Sequence, residues 1–140
     1  MKDRITCFKL NWYDCGLSCA EDRVQEELTI YRNDNYMVIK ELNGYGVICS
    51  CTIIHIEKEK VDAFFSFLEK ISDEWADNYR VPVCDGSSWE ISMWNSSHKM
   101  QKVSGTVKYP QHGRKIEKYI RSFLTDSKEI IDPIMFGCGN

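Results

Sequence analysis

The sequence predicts a single α+β domain over residues 1–140: a mostly antiparallel sheet of about six strands packed with two helices, in the order β-β-β-β-α-β-β-α. Three observations lead to this fold class. Strand-like runs broken by turn residues fill the chain up to Ile56, apolar residues then recur at helical spacing, and a further strand pair precedes a second helical stripe. A hydrophobic fraction of 43% with 28% charged residues is ordinary for a folded globular chain.

The first strand is predicted from Ile5 to Tyr13. Phe8, Leu10 and Trp12 alternate there with other residues, so one face of the strand is apolar. The next stretch, Asp14 to Glu27, holds a glycine, two cysteines and five acids against one arginine. We expect it to be a loop or a short irregular helix.

Three antiparallel strands are predicted next, at Leu28–Arg32, Tyr36–Leu42 and Tyr45–Ile56. Asn33-Asp34-Asn35 is a turn composition, because Asn and Asp tolerate left-handed backbone. Asn43-Gly44 matches the two-residue type I′ turn, in which both central residues need positive φ. The third run is almost continuously apolar, which predicts a central strand covered on both faces.

A helix is predicted from about Glu57 to Asn78, because apolar residues recur there at steps of three and four and charged residues lie mostly off that stripe. This face should pack on the sheet. The stripe consists of Val61, Phe64, Phe65, Leu68, Ile71 and Trp75.

Two more strands are predicted between Val83 and Pro110, as a hairpin that leads into a helix. Trp89, Ile91 and Met93 alternate with polar residues in its first strand, and Asn95-Ser96-Ser97-His98 forms the turn.

The second helix is predicted to begin close to Pro110, a position where the missing N–H of proline costs little. The tail from Thr125 to Asn140 carries an apolar cluster that should dock on the body, since an exposed one would be prone to association. The apolar stripe of this helix consists of Ile116, Tyr119, Ile120, Phe123 and Leu124.

Residues from about 82 to 124 combine an Asp-Gly-x-x-Trp strand with a polar turn, a short return strand, a Tyr-Pro and a helix. This arrangement resembles that of small bacterial proteins of Firmicutes type that have no assigned activity. The resemblance implies this local fold and a bacterial or phage source, and it transfers no catalytic residue. Lys108 stands where the pattern has a small residue. The matching residues are Asp85, Gly86, Trp89, Gly105, Tyr109 and Pro110.

Charge is unevenly distributed in a chain whose formal net charge is −3. The segment from His98 to Arg121 holds seven basic residues against one acid, whereas Asp14 to Ile30 holds five acids against one arginine. The net charge argues against a nucleic-acid binder whose whole surface is basic, but allows a local basic patch. Arg114, Lys118 and Arg121 fall at i, i+4 and i+7. They form either a solvated helix face or a surface for an acidic or phosphate-bearing partner.

The chain has seven cysteines, an odd number, and no apolar run of signal-peptide length. Both observations favour reduced thiols in the cytoplasm over a disulfide framework. A structural zinc site needs two ligand pairs, and Cys15 with Cys19 offers only one. We therefore expect Cys7, Cys49 and Cys51 to be small buried hydrophobic residues.

Cys84 is the best candidate for a reactive thiol, because it lies at the mouth of the hairpin with His98 and His112 on nearby segments. No cysteine-enzyme signature surrounds it, and the neighbouring Asp85 disfavours the thiolate. A small-ligand or cysteine-dependent enzyme site near Cys84 and His98 is therefore the alternative hypothesis, and a zinc-stabilised domain is the third.

No stretch carries a catalytic signature, and the sequence favours a non-enzymatic cytoplasmic module that binds another protein, without cofactor, metal or membrane. An accessory or inhibitory factor of bacterial or phage origin fits the size and the uneven charge. The predicted contact residues are Lys99, Lys102, Arg114, Lys118 and Arg121, with Trp94 and Tyr109 as aromatic anchors.

Overall fold

A computed structural model describes residues 3–14, 23–75, 78–79, 87–106 and 110–125. The strands form one sheet in the order β4-β3-β2-β1-β6-β7-β5. All neighbours are antiparallel except β5, a two-residue strand that pairs parallel with β7. The predicted α+β class and element order are thus confirmed. The strands are β1 (Ile5–Asp14), β2 (Arg23–Tyr31), β3 (Tyr36–Asn43), β4 (Ile48–His55), β5 (Asn78–Tyr79), β6 (Ser87–Asn95) and β7 (Met100–Thr106), and the helices are α1 (Lys58–Ile71) and α2 (Gly113–Thr125).

Both helices contribute to one core on one face of the sheet. The predicted stripe of α1 is buried from Val61 to Ile71, and Ile116, Ile120 and Phe123 of α2 join it. The alternating residues of β1 and β6 supply the sheet side of this core, as their period predicts. Trp12, Trp75 and Trp89 are all buried. The opposite face of the sheet bears the residues that alternate with these and is largely polar.

The second strand begins earlier than the sequence indicates. Residues 23–27, expected in a loop or irregular helix, belong to β2. Glu27 pairs with Lys9 on the open face at 3.4 Å, while Glu26 is buried on the helix side. A strand whose side chains are polar on both faces over several residues has no hydrophobic period, so the pattern could not reveal it.

β4 is an edge strand, and the prediction of a central, doubly covered strand is wrong. Only Ile54 of its eight residues is buried, and Ile53 is 61% exposed. The expectation that Cys49 and Cys51 are buried fails for the same reason, since both are exposed. A continuous apolar run is typical of a buried strand, but the neighbours of a strand are set by the rest of the chain.

Two local predictions also change. Four residues, 44–47, join β3 to β4 in place of the two-residue turn, and Gly46 has the positive φ, 78°. The side-chain oxygen of Asn43 accepts hydrogen bonds from the N–H groups of Tyr45 and Val47, which stabilises this longer turn. The first helix ends at Ile71 and continues only as a short 3-10 turn, Ser72–Glu74.

Candidate partner-binding site

The sheet divides the predicted contact residues between two surfaces. Trp94 and Lys102 alternate with the buried Met93 and Val103, so they lie on the open face. Lys99 is exposed on the turn between β6 and β7. The remaining described ones, Arg114, Lys118 and Arg121, are exposed on α2, which packs on the other face. Tyr109 lies outside the described residues, as do Cys84 and Asp85 of the alternative site.

Ion pairs compensate part of the positive charge in both cationic groups. On the open face, Lys102 Nζ lies 3.4 Å from Glu90 Oε1. On α2, Arg121 Nε lies 3.0 Å from Glu117 Oε1 one turn away. Neither Lys115 nor Lys118 forms an ion pair with any described residue. These two lysines of α2 therefore carry positive charge that no described acid compensates.

These lysines border a groove between α1 and α2, with a cavity volume of about 430 Å³. The rings of Phe67 and Tyr119 lie side by side in it, with centroids 5.3 Å apart and planes tilted by 34°. Both rings are half-buried, so they present apolar surface to the groove. The groove is lined by Phe67, Lys115, Lys118, Tyr119 and Ser122.

Contacts beyond the end of α1 fix the position of α2. The indole N–H of Trp75 donates a hydrogen bond to the main-chain oxygen of Gln111 at 2.6 Å. His112 Nε2 lies 2.6 Å from Glu74 Oε2. The rings of His112 and Phe67 are nearly perpendicular, with centroids 6.2 Å apart. The start of α2 is thereby held against α1, and the groove is formed before any partner binds.

Sequence reasoning missed three groove residues, Phe67, Lys115 and Ser122. Phe67 lies one position off the apolar stripe of α1, and an aromatic residue there is a sign of a second apolar surface. Tyr119 was assigned to the core stripe, and its ring does pack on Phe64, with ring centroids 5.6 Å apart, as well as on Phe67. Which stripes meet to form a groove depends on how the helices pack, which the sequence does not state.

The Cys7 thiol does not have the low pKa of a nucleophile. Burial raises the pKa of Cys7 from 9.0 to about 11 against the opposing effect of Lys9, so its thiol stays protonated near neutral pH. Among the described residues, no group of three or more His, Cys, Asp or Glu side chains is placed to hold a metal ion. Of the alternative site, only His98 is placed, and it lines a concavity on the open face together with Cys7.

None of the helices in the described ranges is long and apolar enough to cross a membrane. A comparison with protein-family models finds none that matches the chain, and a comparison with curated proteins finds no match either. The resemblance of residues 82 to 124 to Firmicutes-type proteins stays a prediction.

Proposed function

We propose that this chain is a non-enzymatic module of the cytoplasm that binds an acidic, amphipathic segment of another protein in the groove between α1 and α2. The observation that carries the proposal is the pairing of a half-buried apolar floor, Phe67 and Tyr119, with two lysines that lack a partner among the described residues. Such a segment would place apolar side chains on the rings and carboxylates at the lysines.

Charge complementarity favours an acidic partner over a neutral one. α2 carries four basic residues, Arg114, Lys115, Lys118 and Arg121, against the single acid Glu117. A charged rim speeds association and selects against basic partners, while the desolvated aromatic floor supplies most of the affinity. This division of roles is the one expected of an accessory or inhibitory factor that recognises one class of target.

Fluorescence anisotropy with a labelled helical peptide tests the proposal. The peptide carries Leu and Phe on one face and Glu on the other, and its control has Lys in place of every Glu. We expect the acidic peptide to bind and the basic one not to bind. Because exposed charges are screened by salt, raising the salt from 0.05 M to 0.5 M should weaken binding several-fold.

Matched variants locate the contact. Lys118→Glu should weaken binding of the acidic peptide by about tenfold or more. Lys99→Glu, the same charge change on the turn between β6 and β7, should alter this binding by less than about twofold. Phe67→Ser should weaken binding without changing its salt dependence. Equal effects of Lys118→Glu and Lys99→Glu, or equal binding of both peptides, would show that the groove is not the site.

A further inference from the structure

The open face of the sheet has a notch that the groove between the helices does not involve. The register of five neighbouring strands places Tyr36, Tyr31, Cys7, Trp94 and Met100 side by side in one row. Four of these side chains are large, and Cys7, in the middle on β1, is small. A small residue between two aromatic ones leaves a gap, so the notch is a direct consequence of the register.

The width of the notch suits one flat ring. Tyr31 and Trp94 lie on the two neighbours of β1, so their Cα atoms are two strand spacings, or about 9.5 Å, apart. A flat ring in contact on both faces needs about 7 Å between the flanking ring planes, so each of the two rings would lean inward by about 1 Å to close on it. Tyr31 is supported from behind by Tyr36, at a centroid distance of 5.1 Å. The whole cavity measures about 600 Å³, within the range of small-molecule sites.

Two turns place polar groups at the mouth of the notch. Asn33 comes from the turn after β2, and Ser96 and His98 come from the turn after β6. The second turn is held in place by Asn95, whose Oδ1 accepts hydrogen bonds from two main-chain N–H groups at 3.0 and 2.9 Å. His98 takes the left-handed conformation there, with φ of 62°. These donors and acceptors are therefore positioned before a ligand arrives.

The floor of the notch offers neither net charge nor a nucleophile. Lys9 Nζ and Glu27 Oε1, which border it, form an ion pair at 3.4 Å and offset each other. The pKa of Cys7, raised by burial to about 11, keeps its thiol neutral at physiological pH. A ligand seated here needs no charge of its own, and it is bound rather than chemically changed.

We propose that the notch binds a planar, uncharged nitrogen heterocycle of the nucleobase type, stacked between Tyr31 and Trp94 above Cys7. Aromatic side chains bind bases through their faces, and the hydroxyl, amide and imidazole groups at the mouth suit the polar edge of such a ring. The base comes either from a free nucleoside or from single-stranded nucleic acid. The site lies on the opposite side of the sheet from the groove, so the two proposals stand independently.

Ligand-observed NMR and calorimetry with adenosine, guanosine, cytidine and uridine test the proposal on the full chain. At least one nucleoside should bind with half-saturation at or below about 1 mM, and its monophosphate should bind within about threefold of it. A short single-stranded oligonucleotide of the same base identifies the source: tighter binding than the nucleoside assigns the site to nucleic acid, and equal binding assigns it to free nucleosides.

Three variants separate the notch from other surfaces. Cys7→Leu fills the gap and should weaken binding by about tenfold or more, whereas Cys7→Ala keeps the gap and should change it by less than about threefold. Trp94→Leu should also weaken binding by about tenfold, and it keeps the test open if Cys7→Leu does not fold. The proposal is overturned if no nucleoside binds at 5 mM, or if binding survives both Cys7→Leu and Trp94→Leu.

Discussion

Arg32 ties the first two strands to α1, and replacing it with methionine should destabilise the whole domain. Its side chain is 7% exposed. Nη1 donates to Glu69 Oε2 at 3.1 Å and to the main-chain oxygen of Ile5 at 3.1 Å, while Nε lies 3.4 Å from Asp62 Oδ1. The guanidinium carbon also lies 5.5 Å from the centre of the Phe65 ring.

The expected loss follows from what the substitution leaves behind. Removing one member of a buried ion pair costs about 3–5 kcal/mol when the other is left buried and unpaired. Here Glu69 and Asp62 keep 29% and 39% of their side-chain surface exposed, and Glu69 still accepts the N–H of Ile5 at 2.8 Å. Water and that hydrogen bond compensate part of the loss, so we expect about 2–3 kcal/mol.

Urea unfolding monitored by tryptophan fluorescence measures this effect. The midpoint should move to a lower urea concentration, while the slope of the free energy of unfolding against urea concentration stays the same. A loss of that size should also lower Tm by roughly 6–12 °C in a chain of this length. Arg121→Met is the matched control, because Arg121 is 47% exposed and its ion pair with Glu117 one turn away is worth about 0.5 kcal/mol or less. If the two variants lose equal stability, Arg32 does not anchor the sheet to the helix.

Four further predictions rest on the described contacts. Ile53→Lys should change the free energy of unfolding by less than about 0.5 kcal/mol, whereas Ile54→Lys should lower it by more than about 3 kcal/mol, because Ile54 is only 4% exposed. Equal denaturation midpoints for the two variants would contradict the edge position of β4. Mass-spectrometric mapping of iodoacetamide labelling at pH 8 should find Cys7 slower than the exposed thiols of β4. Because the pKa of Cys7 rises from 9.0 to about 11 on folding, its contribution to the free energy of unfolding is complete below pH 9 and is lost as the pH rises towards 11. The free energy of unfolding of Cys7→Ser should therefore decline less than that of the unchanged protein between pH 9 and pH 11. Trp75→Phe removes the 2.6 Å hydrogen bond to Gln111 and should cost about 1–2 kcal/mol, with faster amide hydrogen exchange at the start of α2.

The elements predicted correctly share a local cause. In α1, apolar residues return to the core face with every helical turn, and in β1 and β6 they return to it at every second residue. The period of the apolar residues alone therefore identifies each of these elements. Where the period is missing, as at the start of β2, the prediction failed because the buried Glu26 and the paired Glu27 are both polar.

The candidate sites were predictable only in part. The basic residues of α2 stand out in the sequence, but their position beside Phe67 depends on how α1 and α2 pack. Lys102 and Lys118 belong to the same charged stretch and yet lie on opposite faces of the sheet. Neighbours along the chain alternate across a strand, and a helix covers only one face, so charge counted along the sequence does not add up on one surface.

By itself, the sequence determined the type and order of nearly all the elements and the side of each that enters the core, because burial of apolar surface acts through short-range periodicity. Only the tertiary structure decided that β1 is central, that β4 is an edge and that Cys7 stands between Tyr31 and Trp94. These are contacts between residues far apart in the chain. They are selected by packing of the whole sheet, which no single stretch encodes.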